Sequence, residues 1–267
     1  MSEKVRYFEG YLSPVEEELA FVKWCRVNGV EQIIMDWDDT LGKTVEIFKT
    51  QMNRCYDFLE RREPMMSREE WKERVEFHNN NSFETHGVNP ARWGVVMDLV
   101  QRETGLDKKI TKGAVKILGH IYKIRQEFLP GAEEGLQFLV KTGMPIGIGT
   151  HANWDWTRFK YNCLKMHRFV PWDDVYIIDE NGHKTPREWD KGVRKYFKVR
   201  PERCLLVGDS PRSDINPAIE IGVRPNNCVW ISGNGTNLWS IHQQAVPVEV
   251  RRMPNINGLR NLGREVI

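Results

Sequence analysis

The stretch QIIMDWDDTLGKT, residues 32–44, combines a short apolar run with a dense group of carboxylates. The apolar run is too brief for an amphipathic helix and predicts a buried strand. Asp36 and Asp38 follow directly, and positions i and i+2 of an extended segment share one face. Both carboxylates are therefore expected to point at one ligand, whereas Asp39 points elsewhere and is interpreted as a turn residue.

The end of the stretch, Gly42-Lys43-Thr44, also resembles the tail of a nucleotide-binding phosphate loop. That motif requires a first glycine five residues before Gly42, and position 37 is tryptophan. A second glycine pattern, GIGTHA at 147–152, lies inside a predicted strand instead of after it, and is weak alone. Neither pattern supports a nucleotide site, so residues 42–44 are interpreted as the exit from the strand.

The composition limits the classes of function. A length of 267 residues suits one large domain, or a core with a smaller second unit. With 39 basic and 37 acidic residues, the chain has no charge excess that would attract nucleic acid or an anionic membrane. The five cysteines form no C-x-x-C pair, and the first residues contain no apolar signal segment. A cytoplasmic monomer or homodimer is expected.

Short apolar runs alternate with helical patterns in the second half of the chain. This alternation predicts an α/β fold with a parallel sheet covered by helices on both faces. The tail 248–262 is expected to add a last strand and a short helix. After the run in the opening stretch, the predicted strands are PIGIGT, DVYIID, CLLVGD and NCVWIS.

The segment SPVEEELAFVKWCRVNG near the amino terminus predicts a helix. Ser13 is expected to cap it, with Glu16 completing a capping box. Its apolar face is expected at Val15, Leu19 and Val22.

Four helical patterns follow the first strand without an intervening strand signal. This block is interpreted as a helical unit inserted into the chain. The predicted division is therefore residues 1–45 and 128–267 for the α/β core, and 46–127 for the inserted unit. The segment NNNSFETHGV, 79–88, is expected to be a loop between two of its helices.

Ligands of parallel sheets bind beyond the carboxyl ends of the strands. Clustered carboxylates without His or Cys suit Mg²⁺, and a lysine and a hydroxyl can hold phosphate oxygens. One carboxylate can then attack phosphorus, while a second protonates the leaving oxygen. Each residue alone has an ordinary explanation as a turn, a cap or a solvated side chain, but together they predict phosphoryl transfer. The strand-end residues are Asp36, Asp38, Thr150, Lys184, Asp209 and Asp214.

These residues carry a resemblance to the haloacid dehalogenase superfamily, which extends over nearly the whole chain after the first thirty or so residues. DWDDTL resembles the first motif, D-x-D-x-T-L, and IGIGT resembles the second. Lys184 in HKTP resembles the third, and LLVGDSPRSD resembles the fourth, G-D-x-x-x-x-D. Thr185 separates Lys184 from the proline of the third motif, so Lys191 is the alternative for the lysine of that motif.

The resemblance implies a Rossmann-like core with a helical cap, as in the phosphoglycolate phosphatase and beta-phosphoglucomutase branch. By this resemblance Asp36 is the nucleophile and Asp38 the general acid and base, while Thr150 and Lys184 bind phosphate. Mg²⁺ would be held by Asp36, the main-chain carbonyl of Asp38 and Asp209, with Asp214 supporting the site.

The activity implied is Mg²⁺-dependent hydrolysis of a small phosphorylated metabolite. Asp38 favours phosphoryl transfer, because the family's dehalogenases lack an acid at that position. A phosphonate hydrolase would need a cap lysine, and Lys43 and Lys49 show no sign of desolvation. A sugar phosphomutase and a non-catalytic protein that binds a phosphorylated ligand remain as alternatives.

Substrate selection is assigned to the segment 78–93 of the inserted unit. Arg92 is the candidate for pairing with a second anionic group, and Trp93 for stacking on a ring. The alternative for both is that they pack and solvate the start of a helix.

Overall fold

Six parallel strands form one sheet in the order β3-β2-β1-β4-β5-β6. The computed structural model describes residues 13–178, 181–232 and 244–266. The first twelve residues, where no signal segment is expected, lie outside this part. The predicted α/β class with a Rossmann-like parallel sheet is confirmed. The strands are β1 Gln32–Met35, β2 Ile146–His151, β3 Val175–Ile178, β4 Cys204–Gly208, β5 Cys228–Ile231 and β6 Arg251–Met253.

Both faces of the central strands β1 and β4 are buried, as the continuous apolar runs predicted. In β1, Ile33 and Met35 belong to one apolar cluster and Ile34 to the cluster on the opposite face. The helices are α1 Pro14–Val27, α2 Val45–Arg62, α3 Arg68–His86, α4 Arg92–Thr104, α5 Lys108–Gly119, α6 Ala132–Thr142, α7 Trp154–Cys163, α8 Pro186–Asp190 and α9 Asn216–Glu220. Within the described ranges, none of the helices is long and apolar enough to cross a membrane.

The glycines of β2 have a packing role. A Cβ added at Gly149 would lie 2.8 Å from the Trp189 ring, and one at Gly147 would overlap the Phe197 ring. Glycine at these positions therefore lets the segment after β3 pack closely on the strand. This explains GIGTHA without a dinucleotide ligand.

Helix α1 begins as predicted but buries a different face. Ser13 and Glu16 form the expected capping box. The predicted apolar face is wrong, because Val15 and Leu19 are 62% and 65% exposed. The opposite side, which carries Phe21 and other large side chains, is buried against α6 and the carboxyl-terminal 3-10 helix Ile256–Val266.

The segment 79–88 is not a loop, because α3 continues to His86 and ends at Gly87, whose φ is 50°. Asn79 and Ser82 are buried inside this helix. Their intrinsic helix propensity is modest, and packing of α3 against α2 and α4 outweighs it.

Helices α2 to α5, here called the helical insertion, pack around an apolar cluster of their own. Ala152 and Trp156, which follow β2, join this cluster. The helical insertion therefore packs onto the chain at the carboxyl end of β2. The division at residues 46 and 127 stays a prediction.

Candidate active site

A cavity of about 490 Å³ lies at the carboxyl ends of β1 to β4. It lies beside β1, which has β2 on one side and β4 on the other. The chain order of the strands changes direction here. Thr150, the next-to-last residue of β2, does not line the cavity; it is fully buried, and its Oγ1 has no hydrogen-bond partner. The predicted site residues that line the cavity are Asp36, Asp38, Lys184, Asp209 and Asp214.

Three carboxylates and one ammonium group form the centre of this site. Asp36, Asp209 and Asp214 offer oxygens that all lie within 4.8 Å of one another. Lys184 Nζ contacts Asp36 Oδ1 and lies 2.6 Å from Asp214 Oδ1. Gly208 makes room for this arrangement, because a Cβ there would lie 2.5 Å from the Cβ of Asp214.

Burial raises the pKa of Asp36 to about 7, against the lowering effect of the Lys184 charge. Burial, together with the charge of Asp214, raises the pKa of Asp209 well above its ordinary value. For Lys184, burial alone would lower the pKa, but Asp214 and Asp36 outweigh it and raise this pKa. The site therefore concentrates more negative charge than its lysine neutralises.

This charge predicts a pH dependence of stability in the metal-free protein. The pKa of Asp36 moves from 3.8 in the unfolded chain to about 7 on folding. Its contribution to the free energy of unfolding is thus complete below about pH 4 and is lost as the pH rises through about 7. Urea titrations with a chelator should show Asp36→Asn gaining stability relative to wild type across this interval. If the difference in free energy of unfolding between Asp36→Asn and wild type stayed constant with pH, the prediction would be wrong.

Asp38 is held by a separate group of side chains. Lys160 is fully buried, and its Nζ lies 2.7 and 2.8 Å from the two carboxylate oxygens of Asp38. Thr44 Oγ1 donates to Asp38 Oδ1 and accepts from Gln126 Nε2 at 2.6 Å. Trp37 Nε1 in turn donates to Gln126 Oε1 at 2.8 Å. These contacts restrict the orientation of the Asp38 carboxylate.

Sequence reasoning missed Lys160 and Gln126. A signal for Lys160 was present, because the buried face of α7 consists of Trp156, Thr157, Lys160 and Tyr161. A lysine among core positions of a helix is rarely buried without a charged partner. No comparable signal marks Gln126, which lies between the helical insertion and α6.

Asp39 is a turn residue as predicted, although it also lines the cavity. Its φ is 60°, and its Oδ1 accepts hydrogen bonds from the main-chain N–H groups of Thr44 and Val45 at 3.1 and 2.9 Å. These two hydrogen bonds connect Asp39 to the start of α2.

The alternative lysines lie outside the cavity lining. Lys191 forms an ion pair with Glu188 within the same helical segment. Lys43 lies 3.4 Å from Glu127 at the surface. Lys49 does not line the cavity either. Of the lysines considered for phosphate binding, Lys184 is therefore the one beside Asp36 and Asp214.

Arg92 and Trp93 are buried and do not line the cavity, which corrects their predicted position facing a substrate. Arg92 Nη1 donates to the main-chain oxygen of Gly87, and Trp93 packs in the cluster of the helical insertion. From segment 78–93, Phe83 and Val88 line the cavity instead. The reason is that α3 extends to His86 and carries Phe83 to this edge.

Comparisons with known proteins agree with this architecture. The family model of haloacid dehalogenase-like hydrolases matches residues 30–222. A curated relative, the glyceraldehyde 3-phosphate phosphatase of Pyrococcus furiosus, is 35% identical over 101 residues. That alignment covers 36% of this chain and 40% of the relative.

Two solved structures show the same fold at low sequence identity. A haloacid dehalogenase-like family hydrolase from Xanthomonas campestris has a TM-score of 0.68 at 15% identity, covering 87% of this chain and 89% of that one. A 2-haloacid dehalogenase from Pseudomonas syringae has a TM-score of 0.58 at 19% identity, covering 87% and 97%. Both likenesses concern the fold alone.

Proposed function

Because the chain belongs to the haloacid dehalogenase-like hydrolase family, we propose that it is a Mg²⁺-dependent phosphomonoesterase that forms an aspartyl-phosphate on Asp36. The observation that carries the proposal is that a second carboxylate, Asp38, lines the same cavity as Asp36. Replacement of a halide needs no such acid, whereas departure of an alcohol does. The Pyrococcus furiosus relative, a phosphatase by name, supports a phosphate ester as the substrate.

The donor set fits Mg²⁺. Asp36, Asp209 and Asp214 supply hard oxygen ligands within 4.8 Å of one another, and this cluster contains no His or Cys. Burial first, and then neighbouring carboxylates, raise the pKa values of Asp36 and Asp209, and a bound cation would favour the charged form of both. We propose that these three residues hold the ion; the main-chain carbonyl of Asp38 stays a prediction. When bound, Mg²⁺ neutralises charge on phosphate oxygens.

In the proposed reaction, a carboxylate oxygen of Asp36 attacks phosphorus while the bond to the ester oxygen breaks. Asp38 gives its proton to that departing oxygen. Asp38 then takes a proton from the water that cleaves the aspartyl-phosphate, which restores both side chains. Lys184 contacts Asp36, and we propose that it binds a phosphate oxygen. The Thr150 hydroxyl has no hydrogen-bond partner, but Thr150 is fully buried and does not line the cavity, so Lys184 alone is proposed for this contact.

We expect p-nitrophenyl phosphate and a panel of metabolite esters to release inorganic phosphate in the presence of Mg²⁺. Chelation should lower the rate by at least about a hundredfold, since the metal stabilises the developing charge. Phosphate release that persists under chelation would contradict the metal requirement.

Addition of a 2-haloacid and of sugar phosphates to this panel separates the alternatives. Halide release from a 2-haloacid would indicate a dehalogenase, and an isomerised sugar phosphate without free phosphate would indicate a mutase. Binding of a phosphorylated compound without turnover would indicate a non-catalytic role.

A further inference from the structure

Beyond the carboxylates, the cavity continues between the helical insertion and the end of β2. Its lining there is largely apolar and aromatic, and we call the following four residues the apolar wall: Phe48, Phe83, Val88 and Trp156. Phe48 and Phe83 come from α2 and α3, Val88 from the connection between α3 and α4, and Trp156 from α7. The apolar wall therefore borders the space that a leaving group would occupy when phosphorus is at Asp36.

The rings around this space are fixed by mutual packing. The centroids of Phe48 and Trp156 lie 6.1 Å apart, and those of Phe83 and His183 lie 5.3 Å apart. His183 Nε2 also lies 3.1 Å from the main-chain oxygen of Glu84. Such packing prepares a surface for a ring before the ligand arrives, because little side-chain freedom remains to be lost.

The two lysine and arginine side chains that line the cavity in the described part of the chain already have carboxylate partners. Among the described lining residues, the lysine and arginine groups belong to Lys184 and Arg212 alone. Lys184 is held by Asp36 and Asp214, and Arg212 Nη2 lies 3.8 Å from Glu84 Oε1. Burial, reinforced by the Lys184 charge, lowers the pKa of His151 to about 4, so this imidazole is neutral near pH 7.

From this distribution of charge and apolar surface, we propose that the cavity selects phosphate monoesters whose leaving group is uncharged and carries an aromatic ring. The inference rests on the proposed phosphatase function and names its substrate class. Removal of the ring from water against the apolar wall favours binding. A carboxylate or second phosphate would lose its hydration beside the apolar wall and would have to compete with Glu84 for Arg212.

The test uses esters of primary alcohols, so that the reactivity of the leaving group stays nearly constant. The four compounds are 2-phenylethyl phosphate, 2-cyclohexylethyl phosphate, ethyl phosphate and the phosphate ester of 3-hydroxypropanoate. We expect kcat/KM for 2-phenylethyl phosphate to exceed that for ethyl phosphate at least about tenfold. The kcat/KM for the phosphate ester of 3-hydroxypropanoate should be lower than that for ethyl phosphate. Equal values, or a preference for the carboxylate ester, would overturn the proposal, and a preference for the cyclohexyl compound would overturn its aromatic part.

Two phenylalanines of α3 provide a matched pair of variants. Phe83 lines the cavity, whereas Phe77 is 62% exposed and does not line it. Phe83→Ala should lower the ratio of kcat/KM for the phenylethyl and ethyl esters at least about fivefold. Phe77→Ala should leave the ratio unchanged. The ratio is independent of how much protein is folded, so partial unfolding does not imitate the result.

The leaving-group site can be tested even if the protein is not a phosphatase. If no ester is hydrolysed, the affinities of 2-phenylethyl phosphonate and ethyl phosphonate, measured by calorimetry with Mg²⁺, still test the leaving-group site. Tighter binding of the phenylethyl compound, reduced by Phe83→Ala, would support the site without the reaction. Equal affinities would overturn it.

Discussion

Asp36→Asn is expected to lower kcat by at least about a thousandfold for every ester that the wild type hydrolyses. The amide is nearly the same size as the carboxylate but lacks the negative charge that makes the oxygen nucleophilic. Asp36 is buried, contacts Lys184 and accepts a hydrogen bond from Thr40 Oγ1 at 3.3 Å. Steady-state phosphate release measures the effect, and acid quenching followed by mass spectrometry should find a phosphorylated chain only in the wild type.

The matched control is Asp39→Asn, three positions along the chain. The Asp39 side chain accepts hydrogen bonds from the main-chain N–H groups of Thr44 and Val45, and an asparagine oxygen can also accept them. Turnover per folded molecule should stay within about threefold of wild type, because the change leaves the acceptor in place. An Asp36→Asn enzyme that keeps a tenth of the wild-type rate would show that another group attacks phosphorus.

Lys160→Met should lower kcat/KM about a hundredfold for alkyl phosphates and far less for 2,4-dinitrophenyl phosphate. Lys160 holds both oxygens of Asp38, and its Nζ lies 4.0 Å from the centroid of the Trp156 ring. Methionine retains the apolar length of the side chain but not the ion pair. An incorrectly oriented Asp38 protonates a poor leaving group badly, whereas dinitrophenolate leaves without a proton.

Comparison of the two esters separates a positioning role from general structural damage. If Lys160→Met slowed both esters equally, the lysine would serve stability only. Lys191→Met is the control, because Lys191 pairs with Glu188 outside the cavity lining. It should leave both rates near wild type, whereas a large loss there would restore Lys191 as the phosphate-binding lysine.

Features set by neighbouring residues could be predicted from the sequence. The capping box of Ser13 and Glu16 joins groups three positions apart, so its chemistry is complete within one turn. The alternation of Ile33, Ile34 and Met35 places apolar side chains on both faces of β1, which predicts a covered parallel sheet. The strand-end carboxylates follow from the same rule, because parallel strands end at one edge.

Features that depend on residues far away in the chain could not be predicted from the sequence. The buried face of α1 was missed because the carboxyl-terminal 3-10 helix, more than two hundred positions away, covers Phe21 and not Leu19. Arg92 was misplaced because the continuation of α3 to His86 depends on packing against other helices.

Asp36 and Asp38 illustrate this division within one short stretch. The chemistry of the pair, two carboxylates on one face at the end of a buried strand, is a local property and is legible in DWDDT. The partner of each carboxylate is not local. Lys160 lies 122 positions from Asp38, and Lys184 lies 148 positions from Asp36. Only the folded chain brings these ammonium groups to the carboxylates, because long-range packing, rather than sequence spacing, sets which buried charges meet.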